Sequence, residues 1–243
     1  REPLNLLDDP DIVVRLAVLE AYQDFPDKKY LPDLKARLEN EQNPDVAQAI
    51  RAAIMNALQS QPLSEIYRWA QALGNPVDHR ELNLLAAGVV NLLADKISQA
   101  RAAHQQVPVE YEILALSYQA EAARREGQFA QALARFQKLL ELDLPAASRE
   151  TYGRALLQLV LENPQNTALL EQAAPTVRKI LTGPQARAGF DILSRYFRRY
   201  HQDSQRLLDA ARIVAFLVPV SLDFPSPELE EHWSRNRRAV ALQ

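Results

Sequence analysis

Cysteine is absent from the 243-residue chain, which excludes disulfide bonds and thiolate chemistry. This absence leaves the compartment open, because a protein without cysteine is compatible with reducing and oxidising surroundings alike. Glycine is scarce as well, with six residues against fifteen prolines. Together with abundant Ala, Leu, Gln, Glu and Arg, this composition favours helices that are separated by prolines.

Two other absences bear on the choice of partner. The formal net charge is only −3, so electrostatics gives no reason to expect nucleic acid as the main partner. No apolar run approaches the roughly 20 residues that span a bilayer. The chain begins at Arg1 rather than at methionine, and we expect contact with a membrane only through an anchor upstream of it. We therefore expect a cytoplasmic module, which such an anchor would hold at the inner membrane.

A loop-and-helix phrase near the start of the chain occurs twice, with a longer loop in the second copy. Both copies have Asp or Asn, then Pro-Asp and a β-branched residue, followed by Arg and Ala on a helix. The residues are Asp9-Pro10-Asp11-Ile12, Val14-Arg15 and Ala17, then Asn43-Pro44-Asp45-Val46, Ile50-Arg51 and Ala53. A repeated supersecondary unit is typical of an α-solenoid, which binds other molecules along its surface. We predict an all-α fold, a right-handed superhelix of antiparallel helix pairs.

Prolines divide almost the whole chain into blocks of helix length. Six of them follow a capping or small polar residue, or stand where a helix is predicted to begin and the missing N–H costs nothing. These pairs are Asp9-Pro10, Asn43-Pro44, Gln61-Pro62, Asn75-Pro76, Gly183-Pro184 and Ser226-Pro227. Apolar residues between them recur at helical spacing, and no strand-like alternation competes with it.

Residues 10 to 60 resemble HEAT repeats, or the shorter HEAT-like repeats of bacterial proteins, through the two phrases above. The resemblance implies that the Asp and Arg of each phrase brace neighbouring repeats, while the small Ala allows close helix packing. We assign residues 1–75 to this HEAT-like segment. The alternative is a pair of ordinary capped amphipathic helices.

Residues 113 to 146 resemble a tetratricopeptide repeat, in which a short turn joins two antiparallel helices. The matching residues are Ala120, Gly127, Phe129, Ala132, Phe136 and Pro145. Gly127 is expected to end the first helix in a left-handed conformation. Leu139 departs from the family, which prefers a small residue there. We assign residues 108–220 to tetratricopeptide-like repeats.

Two further helix pairs follow in the same rhythm. They are predicted over Glu150–Leu161 with Ala168–Leu181, and over Gln185–His201 with Asp203–Val218. Pro175 lies inside one of these helices and is expected to kink or delay it. Residues 221–243 are predicted to form a C-terminal capping helix, whose acidic start and basic end suit the helix dipole.

Residues 76–107 are predicted to form a connecting buried helix between the two segments. Its apolar residues, among them Leu82, Leu85, Val89 and Leu93, cover more than half of its circumference. A helix of this kind is normally buried in protein. Membrane insertion is the alternative, but the run is too short and too polar for it.

No catalytic constellation emerges from the sequence. The four histidines, His79, His104, His201 and His232, are scattered without the paired spacing of a metal site. The chain also has neither a glycine-rich phosphate loop nor a nucleophile elbow. We predict a protein that is not an enzyme and that has no metal and no cofactor, although a repeat fold does not by itself exclude catalysis.

The tetratricopeptide resemblance implies a binding groove. Such arrays hold an extended peptide or a partner's helix in a concave groove lined by the first helix of each pair. The resemblance places Ser117, Glu121, Arg124 and Arg125 at groove-facing positions, and their mixed charge suggests a polar, charge-patterned ligand. The alternative is a solvated surface with no partner.

A basic cluster suggests a second binding surface. Arg195, Arg198 and Arg199, interleaved with Tyr196 and Tyr200, could follow the phosphates of a nucleic acid or an anionic lipid surface. The simpler interpretation is an exposed face that pairs with nearby carboxylates. The acidic net charge of the chain makes nucleic acid the less favoured partner.

The sequence therefore predicts a non-catalytic protein–protein interaction scaffold, the soluble module of a larger assembly. Its general layout is similar to that of the PelE-like, membrane-anchored helical-repeat scaffolds of bacterial Pel exopolysaccharide export. The competing hypothesis is a helical-repeat protein that binds nucleic acid or an anionic surface through the Arg195–Arg199 cluster.

Overall fold

The computed structural model describes residues 3–74 and 79–182, with the single positions 195, 199, 202, 203, 205, 206 and 209. Within these residues every regular element is helical, which confirms the all-α prediction. The α-helices are α1 (Ile12–Asp24), α2 (Leu31–Asn40), α3 (Pro44–Gln59), α4 (Leu63–Leu73), α5 (Arg80–Ala102), α6 (Val109–Arg125), α7 (Phe129–Glu141), α8 (Ala146–Glu162) and α9 (Thr167–Thr182). Short 3-10 helices cover Pro3–Asp8 and Lys28–Tyr30.

The chain divides into two compact units, Arg1–Gln119 and Ala120–Gln243. In the first unit α1 and α2 pack on α3, while α3 and α4 pack on α5. In the second unit α7 packs on α8, and both contact α9. Helices that pack on their neighbours along the chain are compatible with an α-solenoid. The boundaries predicted at residues 75, 107 and 220 stay a prediction.

The core of the first unit is built largely from α3 and α5. Apolar residues recur on each at helical spacing, so each presents a broad apolar face. The buried residues are Val46, Ala47, Ile50, Ala53, Ile54, Ala57 and Leu58 on α3, and Leu82, Leu85, Ala86, Val89, Val90, Leu93 and Ile97 on α5. Full burial of one Leu or Ile contributes about 1.5–3 kcal/mol. Gly88 of α5 leaves room for the Met55 side chain of α3, because a Cβ there would lie 3.3 Å from the Met55 sulfur.

The two repeated phrases begin their helices in different ways. Asn43 caps α3 as predicted, and its side chain accepts hydrogen bonds from the backbone N–H groups of Asp45 and Val46. The prediction that Asp9-Pro10 starts α1 is wrong by two residues, because Asp11 is the cap and accepts from the Val13 N–H. The Asp9 carboxylate accepts from the Asp11 N–H and so shapes the turn that leads into the helix.

Two helices end in the same hydrogen-bonded turn. After α6, the Gln128 N–H donates to the Ala123 carbonyl and the Gly127 N–H to Arg124, with Gly127 at φ 74°. This is a Schellman turn, and it confirms the predicted left-handed role of Gly127. After α5 the same pair of bonds forms around His104, which has φ 56° although it carries a Cβ.

In the second unit, α8 and α9 cover the ranges predicted for the next helix pair and extend slightly beyond them. α9 starts at Thr167 and continues through Pro175, so the proline does not delay the helix. Pro175 is exposed, whereas Ala173, Ala174 and Val177 beside it are buried. The third predicted pair, over residues 185–218, and the capping helix over 221–243 lie outside the described residues, apart from the single positions above.

No helix in the ranges 3–74 and 79–182 has both the length and the apolar character that a membrane span requires.

Candidate interaction surfaces

The arginine of each repeated phrase forms an ion pair with a glutamate. Arg15 of α1 donates to the Glu41 carboxylate, 2.9 Å away at the entrance to α3. The Arg51 Nε of α3 lies 2.8 Å from Glu81 Oε2 in the first turn of α5. This second pair is not aligned as a hydrogen bond, so its attraction is mainly Coulombic. Each arginine therefore joins its own helix to the start of the helix that begins the next repeat.

We call these two Arg–Glu pairs braces. Because one runs from α1 to the entrance of α3 and the other from α3 to α5, the three helices occupy equivalent positions in the first unit. The HEAT resemblance implies a bracing role for the Arg of each phrase, and the repeat type itself stays a prediction. The Asp of the first phrase acts differently, because Asp11 caps its own helix. No feature of the sequence marks Glu41 and Glu81 as the partners, since their positions depend on how the successive helices pack.

One face of α1 is exposed although it is largely apolar. It consists of Val13, Ala17, Glu20, Ala21 and Asp24, with Phe25 at the end of the helix, and we call it the α1 face. Val13 is 67% exposed and Phe25 is 81% exposed. Isolated surface apolar residues are ordinary, but a stripe along one helix is a candidate for association.

Three of the four predicted groove residues form one ionic network at the end of α6. Arg124 donates two 2.9 Å hydrogen bonds to the carboxylate of Glu121, and Arg125 donates a third. Arg124 also donates to Glu162 of α8 at 2.9 Å. The Arg124 hydrogen bonds, more than those of Arg125, hold the pKa of Glu121 below its usual value. The same pairing raises the pKa of Arg124.

The remaining predicted groove residue, Ser117, lies on α6 and donates to the carbonyl of Leu114 in the same helix at 2.9 Å. The sequence analysis missed Glu162, whose part in the network depends on the position of α8. The network joins α6 to α8 and leaves Arg125 its most exposed member. It is thus part of the internal packing of the second unit as well as a charged surface.

A polar groove of about 760 Å³ opens beside the start of α1. Its charged lining residues are Asp8, Asp9, Arg15, Asp33, Arg37 and Glu41. Arg37 donates two hydrogen bonds to Asp8, which lower the pKa of that carboxyl group. Arg15 is engaged by Glu41. These internal pairs engage both arginines of the groove.

The structure describes two of the three arginines of the basic cluster. Arg195 and Arg199 are each helical and exposed. Arg198 lies outside the described residues. No group of three or more His, Asp or Glu residues within the described ranges is arranged to hold a metal ion.

Comparison with known proteins yields no match, since no family model, no curated protein and no solved structure is similar enough to this chain to assign it to a family.

Proposed function

We propose that this protein is a non-catalytic scaffold that binds other proteins along the surface of a helical-repeat array. The repeated brace is the observation that carries the proposal, because Arg15–Glu41 joins α1 to the entrance of α3 and Arg51–Glu81 joins α3 to the start of α5. Arrays built in this way present a long surface on which partners bind. Their function then depends on side chains exposed at the surface.

The proposed partner is an extended peptide or a helix that binds at Ser117, Glu121, Arg124 and Arg125. A partner with alternating charge can exchange its own carboxylates and cations for the internal pairs of this network. Such an exchange gives specificity and a faster association rate more than it gives affinity. Arg125 is best placed to make the first contact, because it is exposed and pairs only with Glu121 among the described residues.

The cellular setting follows from the resemblance alone. By analogy with PelE-like scaffolds, the protein acts as the soluble module of a bacterial exopolysaccharide secretion assembly. In this proposal it lies in the cytoplasm, at the inner membrane. Neither a metal nor a cofactor takes part.

The proposal is tested by quantitative capture of partners. The immobilised protein is incubated with a lysate of its source organism at low and at high salt, and the bound proteins are identified and quantified by mass spectrometry. We expect one or two stoichiometric proteins that persist at high salt. Arg125→Gln should reduce their recovery, whereas Lys138→Gln, which removes an exposed cation of α7, should not. Failure to recover any stoichiometric protein would contradict the proposal.

The second candidate function rests on Arg195 and Arg199, which are both helical and exposed. It is binding of a nucleic acid or an anionic lipid surface. Binding of a single-stranded oligonucleotide, or of vesicles rich in phosphatidylserine, should then weaken steeply with salt. The triple variant with Gln at 195, 198 and 199 should abolish it. Binding that is absent, or that does not depend on salt, removes this candidate.

A further inference from the structure

The two repeated phrases allow α1 and α3 to be compared position by position. The surface that is covered on α3 then shows which surface of α1 a neighbouring helix would cover. Alignment of Arg15 with Arg51 pairs Ala17 with Ala53 and Ala21 with Ala57. The same alignment pairs Val13 with Ala49 and Glu20 with Asn56. Since both arginines make the same brace, this register is structural as well as sequential.

The equivalent alanines differ sharply in burial. Ala53 and Ala57 of α3 are 1% and 3% exposed, whereas Ala17 and Ala21 of α1 are exposed. Small residues at these positions let a neighbouring helix approach closely, and in α3 a neighbour has done so. On α1 the same small residues face solvent.

The helix that borders this side of α3 is α1 itself. The side chain of Gln23 lies 3.5 Å from the Ala49 carbonyl, and the Asn56 side chain lies 3.5 Å from the Gln23 carbonyl. The positions on α1 that correspond to Ala49 and Asn56 are Val13 and Glu20, and both are exposed. The α1 face is therefore the counterpart of a surface that a preceding helix covers in the next repeat.

Charge decides which kind of helix fits. Glu20 and Asp24 lie on the α1 face and form no ion pair with any residue in the described part of the chain. A second copy of this chain that docks through its own α1 face would add two more carboxylates and no cation, so it would leave Glu20 and Asp24 without a partner of opposite charge. A helix with Lys or Arg beside its apolar stripe would pair with both and cover Val13 and Phe25 at the same time.

We propose that the α1 face is a docking site for a basic amphipathic helix of a partner protein, which packs on α1 as α1 packs on α3. This inference rests on the proposed scaffold function and specifies one of its surfaces. The partner's small and apolar residues pack on Val13, Ala17, Ala21 and Phe25. Its cations contact Glu20 and Asp24.

The test uses a displayed library of helical peptides with a fixed stripe of Ala and Leu. Each position beside the stripe encodes either Lys or Glu, so that the selection itself reports the preferred charge. The full chain serves as bait. We expect clones with Lys beside the stripe to be enriched, and peptides from these clones to bind in solution.

Two variants locate the binding site. Glu20→Lys/Asp24→Lys should lower the affinity for the selected basic peptide by at least about tenfold. The same variant should bind that peptide more tightly when Glu replaces its Lys residues. Ala17→Arg should block both peptides by its bulk. The control Glu141→Lys/Asp143→Lys makes the same charge change at exposed sites of the second unit and should bind as the wild type does. Circular dichroism and thermal melts confirm that each variant is folded.

Three results would overturn the proposal. They are selection of acidic or uncharged clones, equal binding to Glu20→Lys/Asp24→Lys, and self-association of the free chain that Ala17→Arg abolishes. The scaffold function fails by a different experiment, when capture from lysate recovers no stoichiometric protein. A captured partner that binds Glu20→Lys/Asp24→Lys as well as wild type leaves the scaffold intact and removes this docking site.

Discussion

α1 and α3 carry the same phrase and the same brace, yet they differ in how much of their surface is covered. Ile50 and Ile54 of α3 are 2% and 0% exposed, while the equivalent Val14 and Val18 of α1 are only half-buried. The difference arises from the neighbours, since α3 packs against α1, α2 and α5. A helix's sequence thus sets which residues are suited to burial, and the surrounding helices determine which of them are buried.

The largest expected effect comes from one substitution made at the two equivalent alanines. Ala53→Arg forces a long charged side chain into a packed contact and should destabilise the first unit by about 4 kcal/mol or more. Ala17→Arg adds the same side chain to an exposed face and should change stability by less than about 0.5 kcal/mol. Urea denaturation followed by circular dichroism measures both. Similar losses at the two sites would show that the α1 face is covered in solution.

The braces should contribute similarly in both repeats. Arg15→Met and Arg51→Met each leave a partly buried carboxylate without its cation, and each should cost about 1–2 kcal/mol. The contribution of the pair itself comes from double-mutant cycles with Glu41→Gln and Glu81→Gln, where we expect a coupling of about 1 kcal/mol. If the cycle shows clear coupling in one repeat and none in the other, the two phrases are not structurally equivalent.

The two Schellman turns give a smaller matched pair with opposite signs. Gly127→Ala places a Cβ on a residue at φ 74° and should cost about 1 kcal/mol. His104→Gly relieves the same strain at φ 56° and should stabilise the end of α5 by about 0.5 kcal/mol. The free energy of unfolding of each variant measures the effect. A loss on His104→Gly would mean that the imidazole contributes more than its backbone conformation costs.

The smallest effect is a pH dependence of the α6 network. The pKa of Glu121 is lowered in the fold, so its stabilisation is complete above the ordinary glutamate pKa and disappears as the pH falls through the folded value. Glu121→Gln should lower the free energy of unfolding by up to about 1 kcal/mol at pH 7, and this difference from the wild type should shrink toward pH 3. Melting temperatures from pH 3 to pH 7 measure it. As a control, Glu141→Gln should shift them little at any pH.

The helices could be predicted from the sequence because local patterns specify them. The Asn43 cap, the Gly127 stop and the apolar spacing of α3 each act within a few residues of the chain. The predicted start of α1 was wrong because two aspartates compete as its cap, and the first of them bonds to the second. α9 continues through Pro175 because tertiary packing of its apolar face outweighs a lost backbone hydrogen bond.

The features on which the proposed binding rests depend on packing and could not be predicted from the sequence. Glu41, Glu81 and Glu162 are distant in sequence from the arginines they pair with, and no short-range pattern connects them. The exposure of Ala17 beside the burial of Ala53 cannot be seen in two matching phrases, because it depends on which helices lie alongside. The tetratricopeptide resemblance pointed to the charged residues of α6, but it could not predict the ion pairs that they form with one another and with Glu162.

Hydrogen–deuterium exchange across α1 and α3 tests the central claim most directly, because it compares the protection of two equivalent helices in one molecule. In the free protein we predict that α3 amides exchange slowly and α1 amides markedly faster. Addition of a basic helix selected on the native chain should slow exchange in α1 without changing the second unit. Equal protection of the two helices in the free protein, unaltered by that peptide, would contradict the claim that α1 carries an uncovered repeat face.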